Sequence, residues 1–400
     1  MKANNIRQLG LTLSILSIAA IANCSSASAA TLYNVLDLGT LLEDGSGFSR
    51  ASGINDLGQV VGDSSNNFNF GVFRTAPNSA INPTTDDIVV GRGISFSSTD
   101  INNLGQVVGG ASATNSRFDF AFRTAPNGSI SGFVAGAGEL FTGGSFIDAT
   151  AINDLGQATG RGLAAPVEID QLVQAVRVDS SERITALGSL GSRESRGRGI
   201  NNLGQVVGFS TLDTGEIHAF RTAPNSNINP ATDDLGTLGG SSSTANDIND
   251  LGQVVGFSTT TGGETHAFRT APNRAINPET DDLGTLGGDF STANAINDNG
   301  QVVGSSELAN GDVRAFLFDE DTMFDLNDLV VGELDFTFTD AVGINERGQI
   351  AVNGFFNSNA QTSYRALLLT PVPEPTTMLG VLAFGAGASI LRQKSKKKLI

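Results

Sequence analysis

The sequence predicts an all-β protein, a seven-bladed β-propeller of four-stranded blades, and three observations predict it. An Ile-Asn-x-x-Gly-Gln core recurs with its asparagines at Asn55, Asn102, Asn153, Asn201, Asn249, Asn297 and Asn345, spaced 47, 51, 48, 48, 48 and 48 residues apart. A fixed period in that range marks a repeat architecture. Each unit reads as short β segments separated by Gly, Pro and Asn turns, with no helical periodicity. Finally, the segment from Tyr33 to Thr40 looks like a fourth strand without a unit, and the last unit lacks a fourth strand.

Taken in chain order, residues 1–30 read as a signal peptide: Lys2 and Arg7 form the positive start, Leu9 to Ala22 the apolar stretch, and Ala27-Ser28-Ala29 a small-x-small cleavage site. A lipoprotein reading would use Cys24 instead, but it wants a small residue before the cysteine, where Asn23 stands. The repeat region spans residues 31–370. In the unit of residues 245–286, Ala245 to Ile248 is a first strand and Asn249-Asp250-Leu251-Gly252 a turn, with Asn and Gly at the ends such turns favour. Gln253 to Ser258 is a second strand and Thr265 to Arg269 a third. A Pro-bearing loop follows, because proline blocks ladder pairing, and Asp282 to Leu286 is the fourth strand. Pairing of the Tyr33 segment into the last unit would close the ring and remove a sheet edge. A linear β-solenoid, with that segment as a cap, is the alternative.

Residues 371–400 form a tail in three parts: Val372-Pro373-Glu374-Pro375, a 16-residue uncharged stretch from Thr376 to Leu391, and a basic cluster of Arg392, Lys394, Lys396, Lys397 and Lys398. Sixteen helical residues reach about 24 Å, slightly short of a bilayer core, and the basic end should stay cytoplasmic. This order of motif, span and basic tail resembles the PEP-CTERM sorting signal of exported bacterial proteins. The resemblance implies recognition by an exosortase-type processing enzyme and an exported protein held at the cell surface or released, with membrane contact through the tail before processing. A plain single-span anchor is the other reading.

Between the ends, 17 arginines face 40 acidic residues in residues 31–370, a net charge of −23, and all five lysines lie outside that span. Such a body repels nucleic acid and anionic lipid headgroups, which excludes DNA and RNA as partners. With Cys24 in the signal segment, the mature body has no cysteine for a disulfide or a thiol nucleophile. The repeats also resemble the HAF family of extracellular repeats, through His218-Ala219-Phe220, His266-Ala267-Phe268, and the Asp-Leu-Gly-Thr-Leu-Gly-Gly runs beginning at Asp234 and Asp282. Five units depart, with Gly71, Phe120, Gln174, Arg314 and Arg365 at the histidine position, and Val352 replaces a repeat glycine in the seventh. The resemblance implies an extracellular location and a repeat fold, and no activity.

The chemistry is sparse. His218 and His266 occupy equivalent positions, where a metal pair would need further ligands. The glutamines Gln59, Gln106, Gln157, Gln205, Gln253, Gln301 and Gln349 either ring one site or satisfy their own turns; repetition in every unit favours the second. The Asn-Asp turns suggest calcium, but one turn supplies too few oxygen ligands. No catalytic set, metal site or cofactor is expected. Function is sought where the repeat is broken: a loop carrying Glu168 and Asp170, and a loop carrying Arg193, Glu194, Arg196 and Arg198 into the fourth unit. These arginines suit bidentate contact with a carboxylate or sulfate; a solvated ion-pair network is the plain alternative. The expectation is a non-enzymatic binding or structural module, with extracellular polysaccharide or a surface protein as partner; the alternative is an extracellular glycan-acting hydrolase or lyase.

Overall fold

The computed structural model describes residues 31–65, 70–90, 94–113, 119–131, 146–163, 173–191, 194–332, 335–358 and 361–373. The expected signal peptide, and the tail beyond Pro373 with its membrane segment, lie outside the described residues. Among those described, the only helical element is a 3-10 turn, Leu326–Leu329, and everything else regular is β. No described helix is long and apolar enough to cross a membrane.

The fifth unit shows how a propeller-like sheet forms. Strands Gly239–Ile248, Val254–Thr260, Thr265–Arg269 and Asp282–Gly284 pair antiparallel in succession. Between the first two, Gly252 adopts φ 78° and donates its N–H to Asn249 O at 3.0 Å, which needs a residue without a Cβ penalty. The first strand carries a bulge between Ala245 and Asp247, and the first, second, third, fourth, sixth and seventh units bulge near the same place.

The outer edge is shorter than four full strands per unit. The third unit has a fourth strand, Ile184–Gly188, and the sixth has Thr322–Asp325. In the first and fourth units it shrinks to single bridges, Phe73–Asp87 and Phe220–Asp234. The cause is local. In the Asp-Leu-Gly runs the glycine donates to the aspartate, as in Gly236 N to Asp234 Oδ1 at 2.8 Å, and turns at φ 69°. That Asx turn ends the strand within three residues and sends the chain into the next unit.

Neighbouring units are pinned by recurring polar contacts. In the first, fourth, fifth and sixth units a leucine ahead of the first strand donates to a second-strand serine, as in Leu238 N to Ser258 Oγ at 2.8 Å. A serine of the next first strand accepts from the previous third strand, as in Ala219 N to Ser243 Oγ at 2.8 Å. Third-strand arginines reach the following unit's turn: Arg74 Nη1 meets Gly105 O at 3.0 Å and Arg269 Nη1 meets Gly300 O at 2.7 Å. The first strand of the chain, Tyr33–Asp37, pairs antiparallel with the last, Gln361–Pro371, from Tyr33 opposite Pro371 to Asp37 opposite Leu367. The seventh unit also meets the first through Asn353 Nδ2 to Ala51 O at 3.0 Å.

The core lies between successive sheets: Val207 and Ala219 of the fourth unit share a cluster with Leu235, Ala245, Ile248, Val254 and Phe268. Large third-strand side chains (Phe73, Phe122, Phe220, Phe268 and Phe316) are fully buried. Each stands opposite a second-strand glycine, as Phe268 does opposite Gly256.

Candidate functional site

The first strands present their side chains to a shared channel. One cavity of about 370 Å³ is lined by the asparagine turns of all seven units, from Asn55 to Asn345. Each asparagine is nearly buried and acts twice. Asn201 Oδ1 accepts from Leu203 N at 3.2 Å and Gln205 N at 3.0 Å within its own turn. Its Nδ2 donates to Gln205 Oε1 at 2.9 Å and to Asn249 O of the next unit at 3.0 Å. The same bond to the next unit runs from Asn55, Asn102, Asn153, Asn249 and Asn297, and Asn345 Nδ2 donates to Asn55 O at 3.0 Å. The glutamines therefore orient the asparagines rather than gather at one site.

The residue after each asparagine forms a second ring: Asp56, Asn103, Asp154, Asn202, Asp250, Asp298 and Glu346. Each accepts the backbone N–H of the preceding unit, as Asn103 Oδ1 does from Asp56 N at 2.8 Å and Asp56 Oδ1 does from Glu346 N at 2.9 Å. Five carboxylates thus crowd one mouth. Glu346 is pushed above its ordinary range by burial, opposed by the Asp298 amide and assisted by the charges of Asp298, Asp56 and Asp250. These turn carboxylates hold backbone amides. Among the described residues no three His, Cys, Asp or Glu side chains are arranged to hold a metal ion.

Deeper in the channel stand Asp100 and Asp247, equivalent residues of the second and fifth units. Asp100 Oδ1 accepts from Ile101 N at 2.8 Å and Oδ2 from Ile152 N at 2.9 Å. Asp247 accepts from Ile248 N at 2.8 Å and Ile296 N at 3.1 Å. Enclosure pushes Asp100 up to about 7, against the pull of its two amide bonds, and the charges of Asp247 and Asp154 add to the rise. Enclosure lifts Asp247 to about 6. The sequence reading missed this pair. The signal was available: at that position the other units hold only Gly53, Ala151, Gly199, Ala295 and Gly343.

The opposite mouth is a cavity of about 480 Å³ with three guanidinium groups, Arg161, Arg196 and Arg198, beside Thr99, Thr150, Thr292, Asn246 and Asn294. The sequence reading places Glu194, Arg196 and Arg198 in a loop. The structure puts the two arginines in strand Ser195–Ile200 and Glu194 just before it. The strand starts there because Ser195 is the opening serine, its hydroxyl accepting from Ala175 N at 2.9 Å. Arg161 pairs with Asp148 at 2.6 Å and Arg196 with Glu194 at 2.7 Å. Arg198 has no carboxylate within ion-pair distance among the described residues; Nη1 donates to Asn246 Oδ1 at 3.2 Å. Both Arg196 and Arg198 lie over the Phe209 ring, at 5.9 and 5.5 Å from its centroid. Burial and the Arg196 charge press Arg198 below its ordinary range, against the opposing pull of the Asp148 charge. Asp148 Oδ1 is enclosed and accepts no hydrogen bond. The mouth therefore offers a guanidinium, Arg198, with no carboxylate at ion-pair distance among the described residues.

Glu168, Asp170 and Arg193 lie outside the described residues. Of the sorting motif, Val372 and Pro373 are described, Glu374 and Pro375 are not, and Val372 N donates to Leu32 O at 2.8 Å. His218 and His266 bond the fourth-strand aspartates Asp234 and Asp282, each at 2.9 Å, away from the channel mouths. The bond that the His218 ring donates to Asp234 raises the His218 pKa.

The structure is similar to a gluconolactonase from Xanthomonas campestris, with a TM-score of 0.39 and 10% identity over 87% of this chain and 93% of that one. It is similar also to a sialidase from Trypanosoma rangeli, with a TM-score of 0.35 and 10% identity over 84% of this chain and 55% of that one. No protein-family profile matches the sequence, and no curated protein does.

Proposed function

We propose that the chain is a seven-bladed β-propeller exported to the cell surface and that it binds a carboxylated or sulfated, hydroxyl-rich ligand, such as the acidic sugar units of an extracellular polysaccharide. Support for the export comes from the signal-like start and the PEP-CTERM-like tail, whose recognition by an exosortase-type enzyme belongs to the same proposal. Support for the seven blades comes from the ring of asparagine bonds, each unit holding the next.

The observation that carries the ligand class is Arg198. Its guanidinium stands in the cavity next to Arg196, with no carboxylate at ion-pair distance among the described residues. A ligand carboxylate can take the fork of Arg198, and neighbouring hydroxyls can bond the polar side chains of Thr150, Thr292 and Asn294 in the same lining. Binding of purified protein to acidic and neutral polysaccharides, measured by calorimetry, tests this. Arg198→Ala should weaken acidic binding by roughly tenfold, about 1.4 kcal/mol. Equal binding of neutral polymers, or an unchanged affinity in the variant, overturns it.

A second reading, a glycan-acting hydrolase or lyase, is favoured by one observation: Asp100 and Asp247 carry carboxyls raised toward neutral pH inside the channel. A carboxyl poised near the working pH suits general acid or base catalysis. The same incubations decide it: shortened or unsaturated products that vanish in Asp100→Asn support an enzyme, and intact polymer supports a binding module.

A further inference from the structure

The asparagine turns carry an apolar arc. Leu57, Leu104, Leu155, Leu203 and Leu251 occupy the same position in five consecutive units and are between 42% and 61% exposed. The turns adjoin one another, because the residue just before each leucine bonds the next turn, as Asn103 N does to Asp154 Oδ1 at 2.8 Å. The two remaining turns hold Asn299 and Arg347, so the arc is open at the sixth and seventh units. No packing need explains five half-exposed leucines at the tips of turns whose geometry is fixed by Asn and Gly.

The chain leaves the fold at that gap. Pro371 lies against Gly348 of the seventh turn, and Val372 is held by its bond to Leu32 O, a residue itself 47% exposed. Only four steps of chain separate Val372 from Thr376, where the uncharged stretch begins, a reach of about 14 Å at full extension. A segment so tethered cannot enter a bilayer without drawing this face down to it.

We propose that the leucine-bearing turn face is a lipid-contacting surface, seating the propeller on the bilayer that receives residues 376–391 and leaving the arginine mouth pointing outward. This rests on the reading of the tail as a membrane segment. The five carboxylates inside the rim, Asp56, Asp154, Asp250, Asp298 and Glu346, set the lipid chemistry. They repel an anionic surface, so the face fits uncharged or zwitterionic lipid. The leucines contribute the contact area, as apolar groups do at an interface.

The test uses the full chain carrying Cys24→Ser, reconstituted into phosphatidylcholine vesicles, with one added cysteine bearing a polarity-sensitive fluorophore. Leu203→Cys and, independently, Leu251→Cys report on the turn face. Thr214→Cys reports on the opposite face, in the loop after strand Val206–Thr211. Spin-labelled lipid should quench the turn-face probes about threefold more than the Thr214 probe, since such contacts sit in the headgroup zone, and phosphatidylglycerol should reduce the difference at low salt. Vesicle-bound protein with equal quenching on both faces overturns the inference and leaves the anchor standing. Protein that fails to float with vesicles removes the anchor, and the inference with it.

Discussion

At the residue scale, the asparagine of each unit accounts for more order than any other side chain. Asn201 holds three groups of its own turn and one of the next unit, and it is almost wholly buried. Four hydrogen bonds converge on a single amide, and its removal leaves buried backbone groups without partners. Asn201→Ala should cost about 3 kcal/mol of stability, read as a fall in the urea midpoint at unchanged slope. Asn201→Asp should be worse, because a carboxylate cannot donate to Gln205 Oε1 or Asn249 O and buries a charge beside them. An aspartate variant as stable as the parent would show that the bond between units contributes nothing. The same logic separates the aspartates. Those following the asparagines repeat and hold backbone, whereas Asp100 and Asp247 occur twice only, and their raised pKa is the trace of a position where five units avoid a charge.

At the scale of the element, close approach decides which residues a strand tolerates. A Cβ added to Gly256 would stand 2.0 Å from Thr244 O of the first strand, and glycines 62, 109, 160, 208 and 304 meet the equivalent carbonyl at 1.9–2.0 Å. The seventh unit places buried Val352 there, opposite Leu367 instead of phenylalanine. Gly256→Ala should therefore destabilise by about 3 kcal/mol, measured by thermal unfolding. An unshifted midpoint would mean the strands spread without cost. Much of this was legible in the sequence. The Asn-Gly turns, the third strand Thr265–Arg269 and the orphan strand near Tyr33 follow from turn chemistry and repeat spacing, which are local. The bulges were not legible, since they arise from pairing between strands. For that reason Arg196 and Arg198 read as loop residues: their place depends on Ser195 bonding a strand of the preceding unit.

At the scale of the whole molecule, the question is whether the ends of the chain stabilise each other. A linear stack has two free ends and unfolds in pieces, because its units interact only with their neighbours. Here strand Tyr33–Asp37 completes the sheet of the last unit, and Asn345, Asn353 and Arg365 reach Asn55, Ala51 and Gly47 of the first. Each of those contacts crosses nearly the whole sequence, so loss of one should loosen every unit. The chain supplies its own reporters. Its two tyrosines, Tyr33 and Tyr364, lie in the first and last strands, and tryptophan is absent. Tyrosine fluorescence thus reads the junction, while far-UV circular dichroism reads all units. In the parent protein the two thermal transitions should coincide. Asn34→Pro removes the backbone donor of an exposed residue that pairs with Thr370 of the last strand and should cost about 3 kcal/mol, lowering both midpoints together. If the substitution shifts the tyrosine signal alone and leaves the dichroism transition in place, the junction is a decoration on a linear stack. If both fall together, the first and last units are a cooperative part of one ring, and the channel mouths owe their geometry to that closure.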